Sequence, residues 1–331
     1  MAGFAPNVIS TQQINELFIG VNTAFTQLTF DETVIADKIS FLNKNAMGLQ
    51  FDYPFSPVAG KERVWLEGKP REFAGALVYK ITGTHQRIAP PDEMVFDSTL
   101  RYDLYGILEG KLSAIASRAK RIWDRQLAGV INQNPAGFDG VPLWDIAHPI
   151  NPNDLALGNY TNDLTGVDLD EAGLAAALDA LKKIRWMDGQ ILDADDTGLV
   201  IVVPTMALYV KARKLIFGTL IPNVFGANTA AAAPSNPYLG MKGMIKDVYL
   251  LPELDDPSVV DSNKYWYILN CSHPVHRPLV TSIVKMPEFH YSGLDPNDWT
   301  RVNLGAITYG WDAIGAVAPA LPQFTVRAKT P

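Results

Sequence analysis

The strongest constraint on the fold is a stretch of helical periodicity over residues 102–132. Leu104, Ile107, Leu108, Leu112, Ile115, Ala119, Ile122, Trp123, Leu127, Val130 and Ile131 recur there at three- and four-residue spacing. The spacing predicts one continuous helix. At about 1.5 Å per residue it would run roughly 45 Å, longer than an ordinary globular helix. The breakers Asn134-Pro135 and Ala136-Gly137 end it. Asp103 and Glu109 lie early in the helix and Arg118, Lys120, Arg121 and Arg125 lie late, which complements its dipole.

Before this helix the chain is less self-contained. Thr11 is placed to cap a short amphipathic helix carrying Ile14, Leu17, Phe18, Val21, Phe25 and Leu28. Tyr53-Pro54-Phe55-Ser56-Pro57 then breaks any helix and predicts extended chain. Beyond it, residues 63–66 and 76–82 read as strands around the turn Glu67-Gly68-Lys69-Pro70, a long β-hairpin. Lys61, Glu62, Arg63, Glu67, Lys69, Arg71 and Glu72 crowd its tip with charge beside Trp65. An isolated hairpin is marginal in water, and ordering it costs conformational entropy. This one therefore calls for a surface outside its own body, and a neighbouring subunit is the natural candidate.

After the helix, residues 139–166 are rich in Pro, Asn, Asp and Gly and predict an ordered loop with little regular structure, packed through Val141, Leu143, Trp144 and Ile146. A helix is expected over 168–184, a buried strand over 199–203 ended by Pro204, and a helix over 205–217. Residues 226–237 read as a surface loop, with Gly226, Asn228, Pro234 and Asn236 as its candidate contact positions. Strands are expected over 247–251, 265–269, 280–285 and 304–311. The fold class is α+β.

Composition removes several kinds of function. Apolar residues make up 47% and charged residues 19% of the chain, which places it among ordered globular proteins. Its single cysteine, Cys271, forms no intrachain disulfide and lies near His273 and His276 without a fourth zinc ligand, so a turn between strands is expected and no metal. His148 follows Asp145 at the spacing of an oriented base, yet no nucleophile elbow accompanies it; a packing role is expected, with no catalytic group and no cofactor. Gly240-Met241-Lys242-Gly243 fits a loose RNA-binding loop but lacks a basic surface. The net charge of −7 opposes the gripping of phosphates, and suits a wall along which nucleic acid slides. Neither a secretory leader nor a run of about 18 apolar residues is visible, so no membrane partner is expected.

The order of elements is shared with a known family. Val64-Trp65-Leu66-Glu67-Gly68, Phe138-Asp139-Gly140-Val141-Pro142-Leu143-Trp144, Ala147-His148-Pro149 and Asn162-Asp163-Leu164 carry the likeness in the first half. Asp188-Gly189-Gln190-Ile191-Leu192, the run Leu199-Val200-Ile201-Val202-Val203-Pro204, Asn236-Pro237 and Trp266-Tyr267 carry it in the second. The chain resembles the major head proteins of tailed double-stranded DNA phages with the Hong Kong 97-type capsid fold, and more narrowly the head subunits of phage Mu and Mu-like prophages.

That resemblance implies an N-arm over 1–50, an E-loop over 51–91 and a peripheral domain over 92–187 with its spine helix over about 102–132. It further implies an axial domain over 188–289 and a return to the peripheral domain over 290–331. The implied partner is the chain itself, as hexamers and pentamers of an icosahedral virion capsid assembled in the bacterial cytoplasm. A portal, a separate scaffolding protein and an optional decoration protein are implied too. Double-stranded DNA would be enclosed without sequence-specific binding. Arg118, Lys120, Arg121 and Arg125 then have two readings, a solvated face that complements the dipole or a contact with packaged DNA. Competing functions are an encapsulin-like nanocompartment shell and a hydrolase with an unrecognised site.

Overall fold

The computed structural model describes residues 34–44, 46–55, 79–96, 99, 107–192, 198–218, 244–295 and 297–331. The first described elements are α1 (Val34–Ile39), β1 (Ser40–Asn43), β2 (Gln50–Phe55), β3 (Tyr79–Thr84), β4 (Gln86–Ile88), β5 (Glu93–Phe96), α2 (Ile107–Lys120) and α3 (Ile122–Gln133). Then follow β6 (His148–Pro149), β7 (Asn159–Tyr160), β8 (Asp163–Thr165), α4 (Glu171–Lys183), β9 (Leu199–Val203) and α5 (Met206–Phe217). The chain closes with β10 (Ile245–Leu250), β11 (Tyr265–Asn270), β12 (Leu279–Ser292), α6 (Trp299–Leu304), β13 (Ala306–Pro319) and β14 (Thr325–Lys329).

Two sheets organise these elements. One runs β1-β12-β13-β4, with β5 also pairing β13; the other runs β10-β9-β11-β14-β8. The second is covered on both faces, which is why β9 is an unbroken apolar run and all five of its residues are buried. Leu199, Ile201 and Val203 pack with α4 and α5, whereas Val200 and Val202 pack in the same cluster as α3. That cluster also holds Phe289, Ile307, Tyr309 and Trp311 of the long β12–β13 pair. Helix α3 therefore lies between the two sheets. Its Trp123 fits over Gly315 of β13, where an added Cβ would meet the indole Cη2 at 2.4 Å and the Ser282 carbonyl oxygen at 2.6 Å.

Several expectations are corrected. The long helix is interrupted at Arg121, whose φ of −94° and ψ of 14° break the helical ladder between α2 and α3. The guanidinium of Arg121 is drawn to Glu253 at 2.8 Å, and Asn132 Nδ2 donates to the Leu254 carbonyl at 3.1 Å. These tertiary ties to the turn Pro252–Leu254 act on α3, and local periodicity does not register them. The expected start of the helix, residues 102–106, lies outside the described residues. Residues 139–166, expected to be nearly irregular, contain β6, β7, β8 and a 3₁₀ turn at Leu155–Leu157. Leu143 and Trp144 are buried there as expected, but Ile146 is 71% exposed.

The strand expected over 280–285 continues through Ser292 and past two register shifts, one between Ile283 and Lys285 and one between Lys285 and Glu288. Bulges of this kind break the two-residue alternation by which a strand is read from sequence. The strand expected over 304–311 begins at Ala306, because Leu304 still belongs to α6 and Gly305 turns left-handed at φ 57°. It then continues to Pro319. The implied division at residue 289 thus falls inside one strand, and β14 pairs with β11 and β8 in the sheet that contains β9.

Gly315→Ala should force Trp123 out of its seat and lower stability by about 1–3 kcal/mol, read as a drop in the urea midpoint with an unchanged slope.

Candidate assembly surfaces

Residues 1–33 and 56–78 lie outside the described residues, and the described chain next to each is tied firmly into the body. At the first, the six-residue α1 is held from both ends by groups of opposite charge. Asp124 Oδ1 of α3 accepts the Ala36 N–H at 3.0 Å. Arg277 Nη1 donates to the carbonyls of Asp37, Lys38 and Ser40 at 3.3, 2.8 and 3.0 Å. A carboxylate at the start and a guanidinium at the end satisfy orphan backbone groups and complement the dipole. Ser40 Oγ donates to the Ala36 carbonyl at 2.6 Å and bonds Thr281 Oγ1 at 2.7 Å, and β1 then pairs parallel to β12.

Asp124 is buried. Burial raises its carboxyl to about 6 and Glu253 adds to the rise, while the Ala36 and Ile35 amides and Arg121 pull it down. The sequence holds a signal for this residue, a carboxylate beside Trp123 and three residues before Leu127, at the edge of the apolar stripe. No comparable signal marks Arg277.

The second anchor is the pairing of β2 with β3. Phe51, Tyr53 and Phe55 alternate inward along β2. Phe55 and Tyr79 stack at 5.7 Å and both meet Phe138 edge-on, at 4.9 and 5.6 Å, while Asn153 Nδ2 donates to Tyr79 Oη at 2.6 Å. Sequence reading paired residues 76–82 with 63–66; residues 63–66 and 76–78 lie outside the described residues, and the structure pairs Tyr79–Thr84 with Gln50–Phe55. His85 fixes the neighbouring turn. Its Nδ1 lies 2.8 Å from the Gly48 carbonyl, which can only accept, so Nδ1 donates there, and Nε2 is hydrogen-bonded with Ser282 Oγ at 2.9 Å.

Lys61, Glu62, Arg63, Trp65, Glu67, Lys69 and Arg71, the candidate hairpin tip, lie outside the described residues, as do Gly226, Asn228, Pro234 and Asn236. The four basic positions are described. Arg121 is committed to Glu253, and Arg125 donates to the Arg118 carbonyl. Arg118 and Arg125 are exposed and Lys120 is half-buried.

Groups that invited a chemical reading are tied into the packing. His148 Nδ1 pairs with Asp139 Oδ2 at 2.8 Å, not with Asp145; both side chains are buried, and the imidazole stacks on Tyr160 at 5.2 Å. Asp145 instead accepts the Ala147 N–H at 2.8 Å. The Cys271 thiol points to the Ile39 carbonyl at 3.7 Å, and burial pushes it up to about 12. His273 Nδ1 accepts the Val275 and His276 N–H groups at 3.2 and 3.0 Å. Among the described residues no three His, Cys, Asp or Glu side chains converge as a metal site, and no helix is long and apolar enough to cross a membrane.

Neither a family model nor a curated protein matches the sequence. The likeness is in the fold. The mixed helix-and-sheet fold matches that of Hong Kong 97-type phage capsid structures. The capsid of a native GTA particle superposes with a TM-score of 0.53 at 11% identity, covering 91% of this chain and 93% of that one. The mature capsid of bacteriophage PhiM1 gives 0.53 at 11% identity, over 91% of this chain and 88% of that one. That of the cyanophage P-SCSP1u gives 0.51 at 10% identity, over 91% and 89%.

Because the folded-state value of Asp124 stands above its ordinary one, the folded protein takes up a proton there more readily than the unfolded chain. Its contribution to stability is fully present below about pH 4 and is lost as pH rises through about 6. Asp124→Asn should remove that dependence. Wild-type stability relative to the variant should rise by up to about 3 kcal/mol between pH 7.5 and 4, as measured by denaturant titration at both pH values.

Proposed function

We propose that this chain is the major capsid subunit of a tailed double-stranded DNA phage, assembling as hexamers and pentamers into an icosahedral shell around packaged DNA. The observation that carries the reading is the fold shared with capsid subunits across 91% of the chain. The two anchors support it from the physics. A body that fixes α1 by charge at both ends and β2–β3 by three packed rings specifies where its neighbours' contacts begin.

In this reading residues 1–50 are the N-arm, 51–91 the E-loop and α2–α3 the spine. The β12–β13 sheet with the spine forms the peripheral domain. The sheet that contains β9, with α4 and α5, forms most of the axial domain, and β14 belongs with it. The subunit is structural, with no reaction and no cofactor. Its partners are its own copies, a portal, a separate scaffolding protein and an optional decoration protein, in a virion assembled in the host cytoplasm. DNA is enclosed without sequence-specific contacts, which the net charge of −7 favours. The narrower kinship with Mu-like head subunits rests on the order of sequence motifs alone.

Deleting residues 61–71 should leave a soluble subunit with the wild-type circular dichroism spectrum that forms no shells under conditions where the wild type does. Full-size particles of the deletion variant in negative-stain electron micrographs would remove the hairpin from the assembly contact.

A further inference from the structure

The turn between β11 and β12 reaches both of the anchored segments. Arg277 gives its guanidinium to the carbonyls at the end of α1. Two residues earlier, the Val275 carbonyl accepts the hydroxyl of Tyr53 on β2. Tyr53 in turn packs on Phe41 of β1, ring to ring at 5.2 Å. The ends of the turn are fixed to the body. Asn270 Oδ1 accepts the Ser272 N–H at 3.0 Å, and the Pro278 carbonyl accepts the Ala320 N–H at 2.8 Å. Its middle, from His273 to Arg277, carries the two ties to α1 and β2.

Two stacked imidazoles shape that middle. The rings of His273 and His276 lie 4.5 Å apart and 17° from parallel. His273 Nδ1 accepts the N–H groups of both Val275 and His276, so it works only with its lone pair free. A proton there would set three N–H groups against one another, and both bonds would be lost. A charge on His276 would face the ring of His273 on one side and, on the other, Phe324, which offers no counter-charge. Arg277, next in the chain, would repel it. The packed elements add Asp37 and Lys38 of α1, whose carbonyls hold Arg277, and Tyr53 of β2. Tyr249 of β10 and the Cys271 thiol interact electrostatically with Arg277, and Lys246 with that thiol. Asp124, at the other end of α1, titrates in the opposite sense, strengthening the fold as it takes up a proton.

We propose that this turn is a proton-operated clasp, which holds α1–β1 and β2 to the body while the His273–His276 pair is neutral and releases both when the pair is protonated. The clasp belongs to the single chain and does not depend on the assembly reading. Its sign follows from His276, which burial, and then the imidazole of His273, hold below the ordinary value of 6.5. The closed turn prefers the neutral ring. Its contribution to stability is present above about pH 6.5 and is lost as pH falls through the lowered value.

Hydrogen–deuterium exchange of the full chain at pH 7.5 and pH 5, corrected for the intrinsic effect of pH on exchange, tests this. One proton changes the closing constant by up to about tenfold per pH unit. Protection of residues 36–43 and 50–55 should therefore fall together by about tenfold at pH 5, while that of β9 holds. In His273→Asn with His276→Gln, the Asn Oδ1 accepts the same two N–H groups and neither side chain takes up a proton. This double variant should keep both segments protected at pH 5. Arg277→Gln should lose protection of residues 36–43 already at pH 7.5, which tests the tie to α1 even if the double variant does not fold. Unchanged wild-type protection at pH 5, or a fall in only one of the two segments, would overturn the clasp. So would a fall that the folded double variant shares, which would assign the effect to another group such as Asp124. Full protection in Arg277→Gln, or a loss at pH 5 that extends to β9 as global unfolding, would overturn it too.

Discussion

Everything in this molecule is hung on one buried helix. α3 lies between the two sheets, and its Trp123 closes against the backbone of β13 at Gly315 so tightly that no side chain fits between them. Ile122, Leu127 and Ile131 complete a cluster that reaches Val200 and Val202 on one side and Ile307, Tyr309 and Trp311 on the other. Because a close-packed interior transmits displacement rather than absorbing it, the long strand pair and the β9-containing sheet cannot shift independently. Their relative placement is set by the width of one helix.

Polar groups then decide what happens where chain leaves that core. Asp124 sits on α3 itself, so the N-terminal segment is tied to the same helix that joins the sheets. Keeping a carboxylate in a buried site is unfavourable, as its raised affinity for a proton records. The amides of α1 and the nearby Arg121 offset part of that desolvation. Arg121 meanwhile ends α2 and engages Glu253, so a single residue interrupts the spine, ties α3 to the Pro252–Leu254 turn and moderates the charge beneath α1. At the hairpin, three aromatic rings take the place of charge. Such rings bury large areas with few rotatable bonds, which gives a stiff root at little entropic cost.

Much of the architecture was legible from pattern. The periodicity of Leu112 to Ile131 and the apolar run of β9 are local signals, and the structure honours them. What pattern missed was long-range. His148 packs as expected, but on Asp139, a partner brought there by the fold of the loop. β3 was paired with the closest strand-like run, yet its partner is Gln50–Phe55. β14 gave little warning, because Thr325–Lys329 is short and polar at alternate places and becomes a strand only between β11 and β8.

Residue order alone determined that α3, α4 and α5 are helices and β9 a buried strand, and which of their faces are apolar, since each depends on neighbours within a few positions. Only the tertiary structure decided the break at Arg121, the partner of His148 and the opposed charges around α1. Each of those depends on a group that the fold brings in from elsewhere along the chain. Hydrophobic period says that a face must be covered; it does not say by what.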